Sequence, residues 1–398
     1  MIGSGDVARA ADAVAGVARE TPVLPAKRLA RQVGGEVWLK LENLQVTGSF
    51  KVRGAINRLS RMTPEERAHG VLAASAGNHA QAVAWAARKL DIRARLFMPA
   101  EAPLAKLAAV REYGGDVLLV EGSLEDAFAA ARVDAAERGG TFVHAFDDEA
   151  VIAGQATLGL ELLRQVPNIA TAIVPIGGGG LISGVATALK EAKPDVRVVG
   201  VQSDAVAPYA GITVSATRST ICDGIAVKKP GELTGPLVER LVDDVVTVSD
   251  DETAQAMVFL LERSKQVVEG AGAVGVAALM QGRAKVAERG ATVVVLSGGN
   301  VDATLLVEAI RLGETAAGRR MILSTKIPDR PGGLATLLAL VAKIGANVID
   351  VEHVRDGMDL HVRESAVQLV LQTRGPDHDQ QILEAVRGAG YEPEQPLG

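Results

Sequence analysis

Ala172-Ile173-Val174-Pro175-Ile176-Gly177-Gly178-Gly179-Gly180-Leu181-Ile182-Ser183-Gly184-Val185 is the stretch that decides the fold. It lies in an uncharged run, residues 170–189, of about the length of a membrane span. Pro175 and four consecutive glycines interrupt that run, so it reads as a buried strand, a glycine turn and a helix over 182–192. The four glycines let the backbone approach an anion closely, and the helix start offers free amides and a positive dipole. Gly177, Gly178, Gly179, Gly180 and Leu181 therefore form a candidate phosphate cradle. A tight strand-to-helix crossing by itself needs only one or two glycines. No register gives G-x-G-x-x-G, because Ile182 or Ser183 takes the last position, and no lysine follows Gly184 to complete a P-loop. Neither a dinucleotide site nor an NTPase is supported.

Outward from this stretch, short apolar runs alternate with helical ones from residue 35 to residue 313. The fold class is α/β, with a mainly parallel sheet. Strand candidates are 37–41, 71–74, 94–98, 117–120, 141–145, 172–176, 196–201, 245–248 and 292–296, too many for one sheet, so two are expected. Thr63-Pro64-Glu65-Glu66 starts a helix, with Thr63 as N-cap, Pro64 first in the helix and Glu66 closing a capping box. Around 311–320 the rhythm stops, and 314–320 reads as a linker between a domain over 1–313 and a smaller one over 321–398. The smaller domain runs strand 321–327, helix 333–344, strand 347–354, strand 366–372, helix 379–388, a β-α-β-β-α order of the ferredoxin-like kind.

The chain has 398 residues, enough for two or three domains and a large core. Hydrophobic residues are 48% of the chain and aromatics only 3%, so Ala, Val, Leu and Ile must build that core. With a net charge of −6 and no basic run, nucleic acid is excluded as the main partner. Cys222 is the only cysteine, which rules out an intrachain disulfide and any multi-cysteine metal site. The first twenty residues carry Asp6, Arg9, Asp12 and Arg19 and hold no apolar h-region. A soluble, cytoplasmic protein without a membrane segment is expected.

Three further places carry candidate chemistry. In Gly48-Ser49-Phe50-Lys51-Val52-Arg53-Gly54, Lys51 stands at the start of a helix whose Val52, Ala55, Ile56 and Leu59 form one apolar face. The positive helix end and partial desolvation disfavour an ammonium there, which lowers the lysine pKa and favours Schiff-base chemistry; the plain alternative is a solvated lysine. Ser75-Ala76-Gly77-Asn78-His79 joins the strand 71–74 to a helix. Its amides can hold a carboxylate and Asn78 can donate to a ring oxygen, or Ser75 or Asn78 simply caps the helix. His79 has no H-x-x-x-H partner and reads as packed or hydrogen-bonded. Ser297, in Ser297-Gly298-Gly299-Asn300 after the strand 292–296, reads by itself as a helix cap, though its hydroxyl can also face a neutral ring nitrogen. A lysine for an imine, a phosphate cradle, an asparagine for a ring oxygen and a serine for a ring nitrogen together fit pyridoxal phosphate.

From about residue 20 to residue 313 the chain resembles the fold-type II pyridoxal-phosphate enzymes, and within them the threonine dehydratases (threonine ammonia-lyases). The resemblance rests on Lys40-Leu41-Glu42-Asn43, the Lys51 stretch, Ser75 to Gln81, the tetraglycine loop, Asp223-Gly224-Ile225-Ala226-Val227, Val268-Glu269-Gly270-Ala271-Gly272-Ala273 and Ser297 to Asp302. It implies a catalytic domain of two subdomains, the smaller inserted at about 50–145. It implies Lys51 as the catalytic lysine that bonds the cofactor, Phe50 packed on the ring, Asn78 on the ring hydroxyl, and Gly177 to Leu181 on the phosphate. Ser297 would face the pyridine nitrogen, and the turn Ser75, Ala76, Gly77, Asn78 and His79 would hold the substrate carboxylate. The tail resembles an ACT domain through Ile327-Pro328-Asp329-Arg330-Pro331-Gly332 and the strand from Asn347, which implies control by an amino-acid effector, isoleucine or valine.

Two departures bear on the reaction. Serine racemases resemble this chain but carry a serine as second base directly before Gly-Asn-His, where this sequence has Ala76. One-sided chemistry follows, so deamination of L-threonine to 2-oxobutanoate, and of L-serine to pyruvate, is expected over racemisation. The racemase cation site uses a Glu and an Asp where Gln202 and Pro208 stand here, so no metal site is expected. The alternatives are a serine or threo-3-hydroxyaspartate dehydratase, a serine racemase, or a non-catalytic amino-acid sensor. A homodimer or homotetramer is expected. The last ACT strand falls in 391–398, where Pro393 and Pro396 make it short, absent or completed by a partner.

Overall fold

The computed structural model describes residues 2–212, 219–354 and 363–394. The chain divides into two compact units, Met1–Leu306 and Val307–Gly398. No helix among the described residues is long and apolar enough to cross a membrane.

The first unit holds two sheets. Strands β1 (Val23–Pro25), β2 (Glu36–Leu41), β3 (Val71–Ala74), β4 (Ala94–Pro99), β5 (Asp116–Val120), β6 (Thr141–Phe142), β7 (Ile169–Pro175), β8 (Arg197–Ser203), β9 (Asp244–Val248) and β10 (Ala291–Leu296) follow in chain order. They form a six-stranded sheet in the order β1-β2-β10-β7-β8-β9 and a four-stranded sheet in the order β5-β4-β3-β6. Only β1 runs antiparallel to its neighbour. All nine expected strands are present in two sheets. The central strands β3, β7, β8 and β10 are almost fully buried, as strands covered on both faces require, whereas β5 and β9 lie at sheet edges and keep exposed residues. β7 and β10 pack against Leu158, Leu162, Ile182 and Val185 from the helices Glu149–Gln165 and Gly180–Ala192.

Three local differences have physical causes. β1 escapes a pattern search because three residues ending in Pro25 are too few to show alternation, and its two-sided exposure marks it as an edge. β6 stops at Phe142 rather than at residue 145, because the Val143 and Ala145 carbonyls accept from His79 and Lys51 instead of a strand. The helix Lys51–Ser60 does bury Val52, Ala55, Ile56 and Leu59, but it is no half-exposed amphipath: Arg53, Gly54 and Asn57 are buried as well. Gly54 and Gly154 let it close on Glu149–Gln165; a Cβ on Gly54 would stand 2.8 Å from Val151 Cγ1. The Thr63 cap stands as read, its hydroxyl accepting from the Glu66 N–H at 3.2 Å.

The second unit runs β11 (Arg320–Pro328), the helix Gly333–Ile344, β12 (Asn347–Val354), β13 (Glu364–Gln372) and the helix Pro376–Gly388. Its sheet order is β11-β13-β12, antiparallel throughout. Its core is its own, built from Met321, Leu323, Leu337, Val341, Leu369 and Ile382 among others. Of the expected last strand, Glu394 pairs with Ser324 of β11 through both backbone bonds, at 2.8 and 2.7 Å. Residues 395–398 lie outside the described residues. The segment 314–320 is not a linker over its whole length: the helix Ala303–Ala316 runs into it and β11 starts at Arg320. The units separate after Leu306 rather than after residue 313.

Candidate active site

In the first unit the carboxyl ends of β2, β3, β7 and β10 each carry one of the segments singled out in the sequence, the placement expected of a ligand site in open parallel sheets. The position of Lys51 is set before its helix begins. Gly48, at φ +72°, turns the chain. Ser49 then bridges Gly298, and the Phe50 N–H donates to the Ser297 carbonyl at 3.1 Å. The lysine stretch and the end of β10 are thereby joined backbone to backbone. The Lys51 amine donates to the Ala145 carbonyl at 2.8 Å and lies 5.2 Å from the centre of the Phe50 ring. It keeps a small exposed face. Burial pushes its pKa down to about 8 against the opposing pull of Glu269.

Glu269 precedes the helix Gly270–Met280. Its N–H donates to the Gly298 carbonyl at 3.1 Å, and its carboxyl accepts from Asn78 Nδ2 at 2.7 Å. Burial first, and the charge of Asp223 second, push this carboxyl up to about 7; the Asn78 bond, Lys106 and Lys51 work the other way. Asn300 holds the other end of Asn78: its Nδ2 donates to Asn78 Oδ1 at 2.7 Å and to the Thr47 carbonyl at 2.8 Å. Glu269 and Asn300 are the residues that sequence reasoning left without a task. The available signal was an acid placed directly before the small-residue helix start Gly270-Ala271-Gly272, and an amide following Gly298-Gly299.

The glycine loop turns at Gly179, φ +92°, into the helix Gly180–Ala192, which has no side-chain cap. Its first amides are thus left for an anion. A Cβ at Gly178 or Gly180 would run into Phe146, so glycine is required by close approach. The Tyr209 and Thr234 hydroxyls donate to the Gly178 carbonyl at 3.2 and 2.6 Å and fix the loop.

The turn after β3 also opens a helix, Asn78–Lys89, without a side-chain cap. Neither Ser75 nor Asn78 caps it: Ser75 Oγ accepts from the Gly77 N–H at 3.1 Å, and Asn78 faces Glu269. Ser75, Ala76, Gly77 and Asn78 keep exposed surface. The His79 side chain does not join them. It is buried against the Val143 carbonyl at 2.9 Å, and burial, with the Lys51 charge adding, pushes its pKa down to about 3, so the ring is neutral and structural. Ser297 is not a helix cap either, because the next helix starts at Ala303. Its buried hydroxyl makes one long contact, 3.5 Å to the Ala271 carbonyl, and so has bonding capacity to spare. Gln202 accepts from the Tyr209 N–H at 3.0 Å and donates to the Ile176 carbonyl at 3.4 Å. Cys222 is buried and its thiol pushed up to about 12 by burial, so it is no nucleophile.

The site thus brings together a lysine with a depressed pKa, two uncapped helix starts, a doubly held asparagine, a buried carboxyl and a nearly unspent serine hydroxyl. Comparison with known proteins gives the family. The family described as "Pyridoxal-phosphate dependent enzyme" matches residues 14–298. A Thermotoga maritima protein named L-threonine ammonia-lyase is 42% identical over 400 residues, covering 98% of this chain and 99% of the relative. A Staphylococcus aureus protein named L-threonine dehydratase catabolic TdcB is 41% identical over 80% of this chain and 96% of its own length. The structure of maize serine racemase superposes with a TM-score of 0.72 at 36% identity, covering 78% of this chain and 97% of that one. On the matched residues and the full-length similarity, the chain belongs to the pyridoxal-phosphate-dependent enzymes.

Proposed function

We propose that the enzyme deaminates L-threonine to 2-oxobutanoate and ammonia by eliminating water across the α and β carbons, and L-serine to pyruvate in the same way. The observation that carries this reading is one amine, Lys51, together with a methyl side chain, Ala76, in the Ser75–His79 turn. A racemase needs a proton donor on each side of the α-carbon, and a methyl side chain supplies none. The name borne by the Thermotoga relative supports threonine as the substrate.

The residues present fit pyridoxal phosphate. The Gly177–Leu181 amides would hold its phosphate, Asn78 its ring oxygen and Ser297 its ring nitrogen, with Lys51 as the bonding amine and Phe50 packed beside the ring. When bound, the cofactor supplies an electron sink for negative charge at the substrate α-carbon. Lys51, once its amine is free, takes the α-proton. Its depressed pKa keeps a useful fraction of the amine unprotonated near neutral pH. The Ser75–His79 turn orients the substrate through its carboxylate. A hydroxyl at Ser297, unlike a carboxylate, imposes no proton on a ring nitrogen, which limits charge delocalisation and favours prompt loss of the β-hydroxyl.

The second unit is proposed as an ACT-type domain that binds a branched-chain amino acid. Its β-α-β-β-α order, the sheet order β11-β13-β12 and the pairing of Glu394 beside β11 support this. The reaction is tested by steady-state kinetics on L-threonine, L-serine and threo-3-hydroxyaspartate, with chiral analysis of residual serine. Threonine should have the highest kcat/KM and no D-serine should form. Faster turnover of hydroxyaspartate, or accumulation of D-serine, would overturn the assignment.

A further inference from the structure

At the margin of the site lies an ion pair to which the reaction above gives no task. Lys106 comes from the helix Leu104–Glu112, beside the four-stranded sheet. Asp223 opens the short turn Asp223–Ile225, which lies between β8 and β9 in the chain. Lys106 Nζ and Asp223 Oδ2 are 2.6 Å apart. The lysine folds over Gly77: its Nζ and Cδ each lie 3.9 Å from where a Cβ on Gly77 would stand. The ammonium therefore overhangs the amide turn Ser75–His79. Both charges also reach the buried Glu269 carboxyl, with opposite effect.

The two partners are unequally solvated. The Lys106 side chain is 17% exposed and that of Asp223 61%. A pair with one member in water is screened and holds weakly. A mostly desolvated ammonium gains more from an anion that is itself withdrawn from water. A carboxylate seated on the turn is such an anion, and it would arrive within reach of the lysine.

We propose that Lys106 is a second receptor for the substrate carboxylate, and that Asp223 is its resting counter-ion, given up when that carboxylate settles on the turn. The inference rests on the reading of the Ser75–His79 turn as the carboxylate site. Exchange of partners leaves the ammonium paired in both states, so neither state carries an uncompensated, partly buried charge. It also explains why an aspartate stands so close to a site built for an anion: the aspartate sets a threshold that an amine without a carboxylate does not cross.

Holoenzyme carrying Lys106→Met, Lys106→Arg or Asp223→Asn tests this by calorimetry with two probes. L-2-Aminobutyrate has threonine's amine and carboxylate but no leaving hydroxyl, and propylamine has the amine alone. Lys106→Met should weaken 2-aminobutyrate about tenfold or more, the value of a charge-assisted hydrogen bond, while Lys106→Arg keeps most of the affinity. Asp223→Asn should tighten 2-aminobutyrate. Propylamine should respond to none of the three. If the pair were only a structural tie, Lys106→Met and Asp223→Asn would weaken both probes alike, and that result overturns the proposal. So does a wild-type enzyme that binds the two probes equally. Threonine turnover is not read here, so failure of the proposed dehydration would appear separately, in the kinetics, and leave this outcome intact.

Discussion

At Lys51 burial and charge oppose each other, and burial wins: the amine falls to about 8 although Glu269 pulls it upward. Since only the unprotonated amine is nucleophilic, the protein stripped of cofactor should take up pyridoxal phosphate faster as pH rises through about 8. Glu269→Gln removes the upward pull, so the midpoint of that rate profile, followed by visible absorbance, should move to lower pH. A midpoint that stays or rises would show that Glu269 does not act on Lys51. Lys51→Ala should abolish turnover, and borohydride, which fixes the cofactor covalently on the native chain, should fix none on the variant. The placement of Lys51 and Asn78 at helix starts and of Ser297 at a strand end was legible in the sequence, because local pattern reveals such boundaries. Glu269 was not, because its meaning lies in a bond to Asn78, 191 residues away. Asn300, 222 residues from Asn78, is hidden for the same reason.

The helix Lys51–Ser60 shows what patterns of elements reveal and where they stop. Its apolar spacing places Val52, Ala55, Ile56 and Leu59 correctly, and Thr63 caps the following helix through neighbours three residues away; both signals are local. The fate of Arg53 is not local. It is fully buried, donating to Glu42 at 2.8 Å and to Glu161 at 2.6 Å, and Lys40 reaches Glu161 and the Thr21 carbonyl, so that two cations and two anions are buried together. This quartet ties the end of β2 and the helix Glu149–Gln165 to the helix that Lys51 opens. Removing one member leaves an uncompensated charge in the core, so Arg53→Met should cost about 3–5 kcal/mol of stability. Thr63→Ala, which loses an exposed cap, should cost about 1 kcal/mol. Denaturant unfolding of the two variants should rank them in that order; equal losses would mean that the quartet relaxes or admits water.

For the whole molecule, alternating apolar and helical runs identified an α/β first unit with two sheets, and the order of five elements identified the second unit. The boundary was misplaced because helical propensity does not change where the units part: the helix Ala303–Ala316 continues across it with no turn residue to mark it. Each unit has its own core, the second drawn entirely from residues beyond 320. A chain ending at Arg319 therefore keeps the first core whole, along with every residue of the candidate site. It should retain threonine turnover. If the second unit binds a branched-chain amino acid and communicates with the site, isoleucine or valine should change the initial rate of the full chain and leave that of the shortened chain unaltered. By linkage, an effector that weakens threonine binding must itself bind less tightly when threonine is present, and equilibrium binding to the full chain checks this. Equal response of both chains would place the effector in the first unit, and no response of either would remove regulation from the second.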